Sequence, residues 1–354
     1  MRWTRSWAKT ARQVRLFRGA ASLAALALIS ASCFAQATSD QQTPPEKTLR
    51  SQSNVVLVPA LVKDQQGGIV YGLQVKDFII EDDGVEQSIR LDEVPEGQPI
   101  SLVIAIQTGR RANYEFPRIA HLNSMIEPIV ESGHAEVAVI EFDSQVHSVR
   151  DFTNNAQRVE LDLEHLQAGD SGAAILDAVD ASVKMLQKVE PDRQRVLLLV
   201  SETRDHGSSA KIDDVVAEIG QANAEMYALA FSPSKSNVLD TLRGNNNPDL
   251  HPEQTEMHQG INFLDLAYRL GQAMRKNIPS TVASMTGGEY ELFATQKKFE
   301  VRMNDFTNHL QSRYMLSFAP KNPHPGMHQL RVRLRDDKNG TVLARSSYWA
   351  EASK

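Results

Sequence analysis

The apolar positions along the chain fall into two rhythms. Between residues 98 and 310, unbroken apolar runs "SLVIAI", "AEVAVIEF", "RVLLLV" and "EMYALAF" alternate with longer segments whose apolar residues recur at helical spacing. An unbroken apolar strand is what a mainly parallel sheet needs, because both of its faces are covered. The helical patterns between them are "FPRIAHLNSMIEPIVES", "AAILDAVDASVKMLQKV", "KIDDVVAEIGQAN" and "NFLDLAYRLGQAMRKNIPSTVASMT". Strand followed by helix, repeated, predicts a doubly wound α/β domain over 98–310. A last helical pattern, "FEVRMNDFTNHLQSRY", closes it.

The second rhythm lies at the two ends. Residues 54–97 alternate short β-branched runs with the turn signals Asp64-Gln-Gln-Gly-Gly, Tyr71-Gly72 and Asp83-Gly84, the punctuation of a small antiparallel unit. Residues 311–350 offer "RYMLSFAP", "MHQLRVRLRDD" and "TVLARSSYWA", with a turn at Asn339-Gly340. In "HQLRVRLR" the apolar Leu330, Val332 and Leu334 face one way, as in a half-buried strand. Neither end is large enough to close a core alone. The expectation is that 54–97 and 311–350 pair into one β-sandwich-like domain with the α/β domain inserted between them.

The first 35 residues follow neither rhythm. Arg2, Arg5, Lys9, Arg12, Arg15 and Arg18 precede the apolar "AASLAALALISAS" and the small residues of "SCFAQA". That order of charge, apolar run and small residues predicts a cleavable signal peptide ending near Ala35, and the apolar run is shorter than the roughly 20 residues of a spanning helix. Cys33, the only cysteine, leaves two readings open: acylation after cleavage, or removal with the leader. In the second case the exported protein has no disulfide, so packing alone stabilises it. Residues 36–53 are polar with a Pro pair and read as a flexible linker. Removing the leader takes away six positive and no negative charges, so the formal charge of -6 becomes -12. An acidic exported chain is a poor partner for nucleic acid, and for a membrane surface unless Cys33 is lipidated.

The order of segments resembles a known arrangement. "LVKDQQGGIVYGLQVKDFIIEDDGVEQSI", "VLLLVSETRDHGSS", "ASMTGGEYELF", "LQSRYMLSFAP" and the closing "ARSSYWA" are similar, in the same order, to landmarks of the bacterial VWFA-related domain family over most of residues 54–350. The resemblance implies a von Willebrand factor A-like domain, whose strand-end loops usually hold Mg²⁺ through an Asp-x-Ser-x-Ser loop, a Thr and an Asp. Mg²⁺ takes hard oxygen ligands in octahedral geometry and keeps positions open for water or a partner's carboxylate. Here Gln107, Gly109 and Arg111 stand where the Asp, Ser and Ser belong, and Ala173 stands at the Thr position. Only Glu202 keeps a carboxylate. The implied domain therefore has a degenerate metal site, and no cofactor is expected, with Mg²⁺ or another divalent ion the disfavoured alternative. In place of the metal, Arg110 or Arg111 pairs internally with Glu202 or Asp205, receives a partner protein's carboxylate, or faces solvent.

Other clusters point to less specific chemistry. "GDSG" at 169–172 has the form of a serine-protease nucleophile loop, but the following helical pattern makes Asp170 or Ser171 an N-cap for a helix starting near Ala173. "TRDHGSSAK" places Arg204, Asp205, His206 and Ser208 after a central strand, with Ser208 or Ser209 as an N-cap. Residues 232–260 form a long polar loop containing Asp249, His251, Glu253, Glu256 and His258, whose spacing matches no common metal motif. No phosphate loop, dinucleotide fingerprint, HExxH pair or nucleophile elbow is present. The expectation is a non-catalytic exported module that binds another protein through its strand-end loops. The alternatives are a structural or self-assembling scaffold and, less favoured, a hydrolase using residues 169–209.

Overall fold

The computed structural model describes residues 55–92, 98–190, 192–231, 263–336 and 340–350, within a compact unit spanning 52–354. The expected signal peptide, Cys33, the expected linker at 36–53 and the expected loop at 232–260 lie outside the described residues.

The central sheet has six strands in the order β10-β9-β8-β5-β6-β7. They are β5 (Ile100–Gln107), β6 (Ala135–Phe142), β7 (Val146–Thr153), β8 (Gln194–Ser201), β9 (Glu225–Phe231) and β10 (Tyr290–Phe293). All pairings are parallel except β6 with β7. Counted from β5 as first, the order is the doubly wound 3-2-1-4-5-6, in which the two directions of winding part beside the first strand. This is the mainly parallel α/β architecture the resemblance implied for a von Willebrand A-like domain.

The unbroken apolar runs are explained by burial on both faces. Val103 and Ala105 of β5 pack into one layer with α4 (Ile175–Leu186), α5 (Ile212–Ala222), α6 (Phe263–Lys276) and α7 (Ile278–Thr286). Leu102, Ile104 and Ile106 pack into the opposite layer with α2 (Leu122–Glu131) and α8 (Gln296–Leu310). Short α1 (Phe116–Ile119) and α3 (Ala156–Glu164) complete that second layer.

The chain ends pair as expected, into two antiparallel sheets of four strands. One has the order β13-β1-β11-β4, from β1 (Val56–Lys63), β4 (Ile89–Asp92), β11 (Tyr314–Phe318) and β13 (Thr341–Ala344). The other has the order β14-β12-β2-β3, from β2 (Phe78–Asp82), β3 (Val85–Glu86), β12 (Gly326–Leu334) and β14 (Ser347–Ala350). Val58 and Leu316 from the first sheet share a core with Phe78, Ile80, Leu330 and Tyr348 from the second. Asp83 and Gly84, both at positive φ, close the β2–β3 hairpin, the geometry that a tight two-residue turn demands.

Several elements differ from the sequence reading. "TVLARSSYWA" is not one strand: the chain breaks at Arg345 and Ser346, so β13 and β14 join different sheets. Buried Arg345 fixes this break by donating to the carbonyls of Ser347 and Gly220 and to Asn223 Oδ1. The long pattern at 262–286 is two helices, because Asn277 is extended and caps α7 by accepting from Ser280 N. Strand β7, helix α3 and strand β10 gave no clear periodic signal. In β7 most residues are exposed or half-buried, so the edge strand lacks the apolar run of its neighbours.

A buried ion pair joins the β-sandwich to the α/β sheet. Arg313, immediately before β11, places Nε 2.9 Å from a Glu225 carboxylate oxygen at the start of β9. It also donates to Tyr227 Oη at 3.0 and 2.8 Å and to the Gly287 carbonyl at 2.8 Å. Burial raises the Glu225 pKa, with Arg313 acting against it, and the guanidinium in contact with the carboxylate keeps its proton. Beside it, Glu289 takes Lys63 Nζ at 2.6 Å and His309 Nδ1 at 2.6 Å.

Candidate functional site

Strands β5, β6 and β8 run parallel and deliver their carboxyl ends to one edge of the sheet. This is where α/β sheets place ligands, beside the topological switch point. Gln107, the last residue of β5, is fully buried. Its Nε2 donates to Glu202 Oε1 at 3.0 Å and its Oε1 accepts from the Glu202 amide at 2.8 Å. The amide side chain thus bridges the ends of β5 and β8 with both of its polar atoms used.

Arg110 completes the cluster, with Nε 2.8 Å from the same Glu202 Oε1. The pairing depends on an unusual backbone: Arg110 has φ 53, a left-handed conformation that costs a non-glycine residue roughly 1–2 kcal/mol. Its amide donates to the Asp170 carbonyl at 2.7 Å, which holds the turn. Arg110 is therefore the internal partner, and Glu202 rather than Asp205 is its carboxylate. Arg111 is exposed and pairs with no carboxylate among the described residues. On the loop after β8, Arg204 is likewise exposed and unpaired among the described residues. Tyr114, 74% exposed, follows Arg111 on the loop after β5.

The remaining expected positions, Ala173 and Asp205, make internal contacts. Ala173 is buried and exchanges two backbone hydrogen bonds with His206, each 2.8 Å. Asp205 accepts from the Leu176 amide at 3.1 Å and from Ser208 Oγ at 2.5 Å. Ser208 Oγ takes the Asp177 amide at 3.1 Å. These contacts correct the expected caps. Helix α4 starts at Ile175 and its free amides are satisfied by Asp205 and Ser208 from the adjacent loop, not by Asp170 or Ser171. Neither Ser208 nor Ser209 caps α5, whose N-cap residue is Lys211.

Asp170 instead holds the neighbouring loop, accepting from the amides of Ser144 at 3.0 Å and Gly172 at 2.7 Å and from the Ser144 hydroxyl. Asp143, at the end of β6, accepts from the amides of Gln145 at 3.0 Å and Asp170 at 3.1 Å. Burial acts to raise the Asp143 pKa, but these amides hold it below the usual carboxylate range. The Ser144 hydroxyl and the Gly172 amide hold Asp170 low as well. Asp143 was not singled out from the sequence. The Asp-Ser pair after the "AEVAVIEF" strand was the available signal, because such residues commonly bind turn amides.

The loops approach so closely that side chains are excluded. A Cβ at Gly109 would lie 2.1 Å from the Gly172 carbonyl oxygen, and one at Gly172 would lie 2.4 Å from the Ser144 backbone. Ser171 is exposed and takes no histidine partner among the described residues.

No protein-family model matches the chain, and no curated protein does. Among solved structures, the chain is similar to BatB from Bacteroides thetaiotaomicron, at 13% identity over 60% of this chain and 99% of that one, with a TM-score of 0.38. It is similar to the vWF domain of the type V pili tip protein Mfa5 from Porphyromonas gingivalis, at 14% identity over 30% of this chain and 38% of that one, with a TM-score of 0.28. It is also similar to proximal thread matrix protein 1 from the mussel byssus, at 11% identity over 66% of this chain and 50% of that one, with a TM-score of 0.41.

Proposed function

We propose that this chain is an exported, non-catalytic protein-binding module of the von Willebrand A-like kind whose strand-end site works without a metal ion. The observation that carries this reading is the closure of Glu202 by Gln107 and Arg110. Mg²⁺ needs several hard oxygen ligands around an open position. Of the aligned ligand positions Gln107, Gly109, Arg111, Ala173 and Glu202, only Glu202 is a carboxylate, and it is already paired with a guanidinium; a side chain at residue 109 would collide with the Gly172 backbone. The donor set does not fit Mg²⁺.

The internal pairing leaves Arg111 and Arg204 on the rim, with Tyr114 beside Arg111. Two guanidiniums and an exposed ring suit a partner protein that presents carboxylates directly, a role for which arginine's planar fork is well matched. Export rests on the leader-like residues 1–35; among the described residues no helix is long and apolar enough to cross a membrane. The pairing of Arg110 with Glu202 also favours a second reading, in which the loops have become purely structural.

The two readings separate in one experiment. The tagged chain is expressed in its own host, crosslinked in EDTA and purified beside an Arg111→Glu/Arg204→Glu variant. The binding reading expects a specific partner on the unmodified chain that is lost from the variant. A partner recovered equally by both, or only with divalent ions present, contradicts it.

A further inference from the structure

A second cluster lies in the β-sandwich, at the end of β2, its turn and β12, rather than on the strand-end loops. We propose that Asp83, His324 and His328, with Asp82 beside them, form a binding site for a divalent cation of the Zn²⁺ kind. One ligand atom from each of Asp83, His324 and His328 lies within 4.8 Å of the others. Asp83 Oδ2 is 3.1 Å from His324 Nε2 and 2.9 Å from His328 Nδ1, and Asp82 Oδ1 is 3.0 Å from the same Nδ1. Ligands 2.0–2.2 Å from a tetrahedral ion are roughly 3.3 Å apart, so a small outward movement makes room for one.

The surroundings are those of a supported site. His328 Nε2 is 2.8 Å from the His324 carbonyl, which places the ring proton on Nε2 and turns Nδ1 toward the carboxylates. A metal-binding histidine commonly uses its other nitrogen in this way. Tyr348 donates to Asp82 Oδ2 at 3.0 Å, and the Gln329 amide donates to Asp83 Oδ1 at 2.9 Å. The left-handed backbone of Asp83 in the β2–β3 hairpin, φ 49, aims its carboxylate across the turn toward β12. His328 is buried, whereas His324 has a half-exposed side chain that gives an ion a path in.

Two imidazoles and one or two carboxylates form a borderline donor set that suits Zn²⁺ better than Mg²⁺ or Ca²⁺. The His324 and His328 rings are stacked with centroids 3.9 Å apart, so coordination requires the exposed His324 ring to tilt out of the stack.

The test is a titration of the tag-free full-length chain with Zn²⁺, followed by calorimetry and the unfolding midpoint, and with Co²⁺, followed by its visible absorption. Two variants accompany it: His324→Ala, at a half-exposed position, and Asp83→Asn, which tolerates the left-handed backbone. Far-UV circular dichroism checks their folding. The expected result is a saturable site that raises the midpoint, gives a Co²⁺ band, and is weakened more than about tenfold by either substitution. Absence of any Zn²⁺ response, or titration of both variants like the unmodified chain, overturns the proposal. The latter result would move any zinc to other histidines, such as His251 and His258.

Discussion

Replacing Glu225 by Ala leaves the Arg313 guanidinium buried without its carboxylate. Both side chains are nearly inaccessible, 3% and 4% exposed, so water cannot take over the lost contact. Removing one partner of a buried pair costs about 3–5 kcal/mol, whereas replacing both by apolar residues of similar volume is often close to neutral. Arg313 retains the Tyr227 hydroxyl and the Gly287 carbonyl, which places Glu225→Ala near the lower end, about 3 kcal/mol. The double variant Glu225→Leu/Arg313→Met should recover most of that loss. The assay is urea unfolding followed by far-UV circular dichroism and by tryptophan fluorescence in a chain lacking Trp3 and Trp7. Trp349 then reports the junction where its Cβ would lie 3.0 Å from a Cβ placed on Gly220. Coincident transitions license a free energy from the midpoint and slope. A loss below about 1 kcal/mol for Glu225→Ala, the size of a surface pair, would refute the claim that this contact locks the β-sandwich to the α/β sheet.

Two further outcomes follow from the same geometry. Burial disfavours the Glu289 carboxylate, yet the His309 and Lys63 contacts hold its pKa at about 2, below its ordinary 4.5. A carboxylate depressed in the folded state stabilises above its unfolded pKa and loses that contribution as pH falls. Stability should therefore drop by about 3 kcal/mol between roughly pH 4.5 and 2, and urea titrations of Glu289→Gln should lack that component. Gly109→Ser places a Cβ against the Gly172 carbonyl and should cost about 2 kcal/mol or more without creating Mg²⁺ affinity; a stable variant that binds Mg²⁺ would show that the loops can open.

The strands β5, β6, β8 and β9 were legible because burial on both faces keeps their central positions apolar and leaves polar residues such as Gln107 and Glu225 toward their ends, and the ends of the fold were legible because alternation and turn residues recur in each. Strand β7 was not, since an edge strand with one solvated face carries no such run. The division of "TVLARSSYWA" depended on Arg345 reaching Gly220 and Asn223 across the domain junction, a contact with no local signature. At the site, the resemblance placed Gln107 and Glu202 together correctly. It left the choice between Arg110 and Arg111 open, because that choice is made by one left-handed residue whose strain is held by the Asp170 carbonyl. The helix caps were misread for a related reason: amides of α4 are served by Asp205 and Ser208 from a different loop, whereas cap rules inspect only the residues just before the helix.

The central claim is that internal pairing of Glu202 has closed the strand-end site to metal. The direct measurement is thermal unfolding of the chain in EDTA and then in millimolar Mg²⁺ or Ca²⁺, because an ion that binds only the native state raises the midpoint. The account predicts the same midpoint under all three conditions. An upward shift with either ion that disappears in Glu202→Ala would contradict it and return metal-dependent adhesion to this domain.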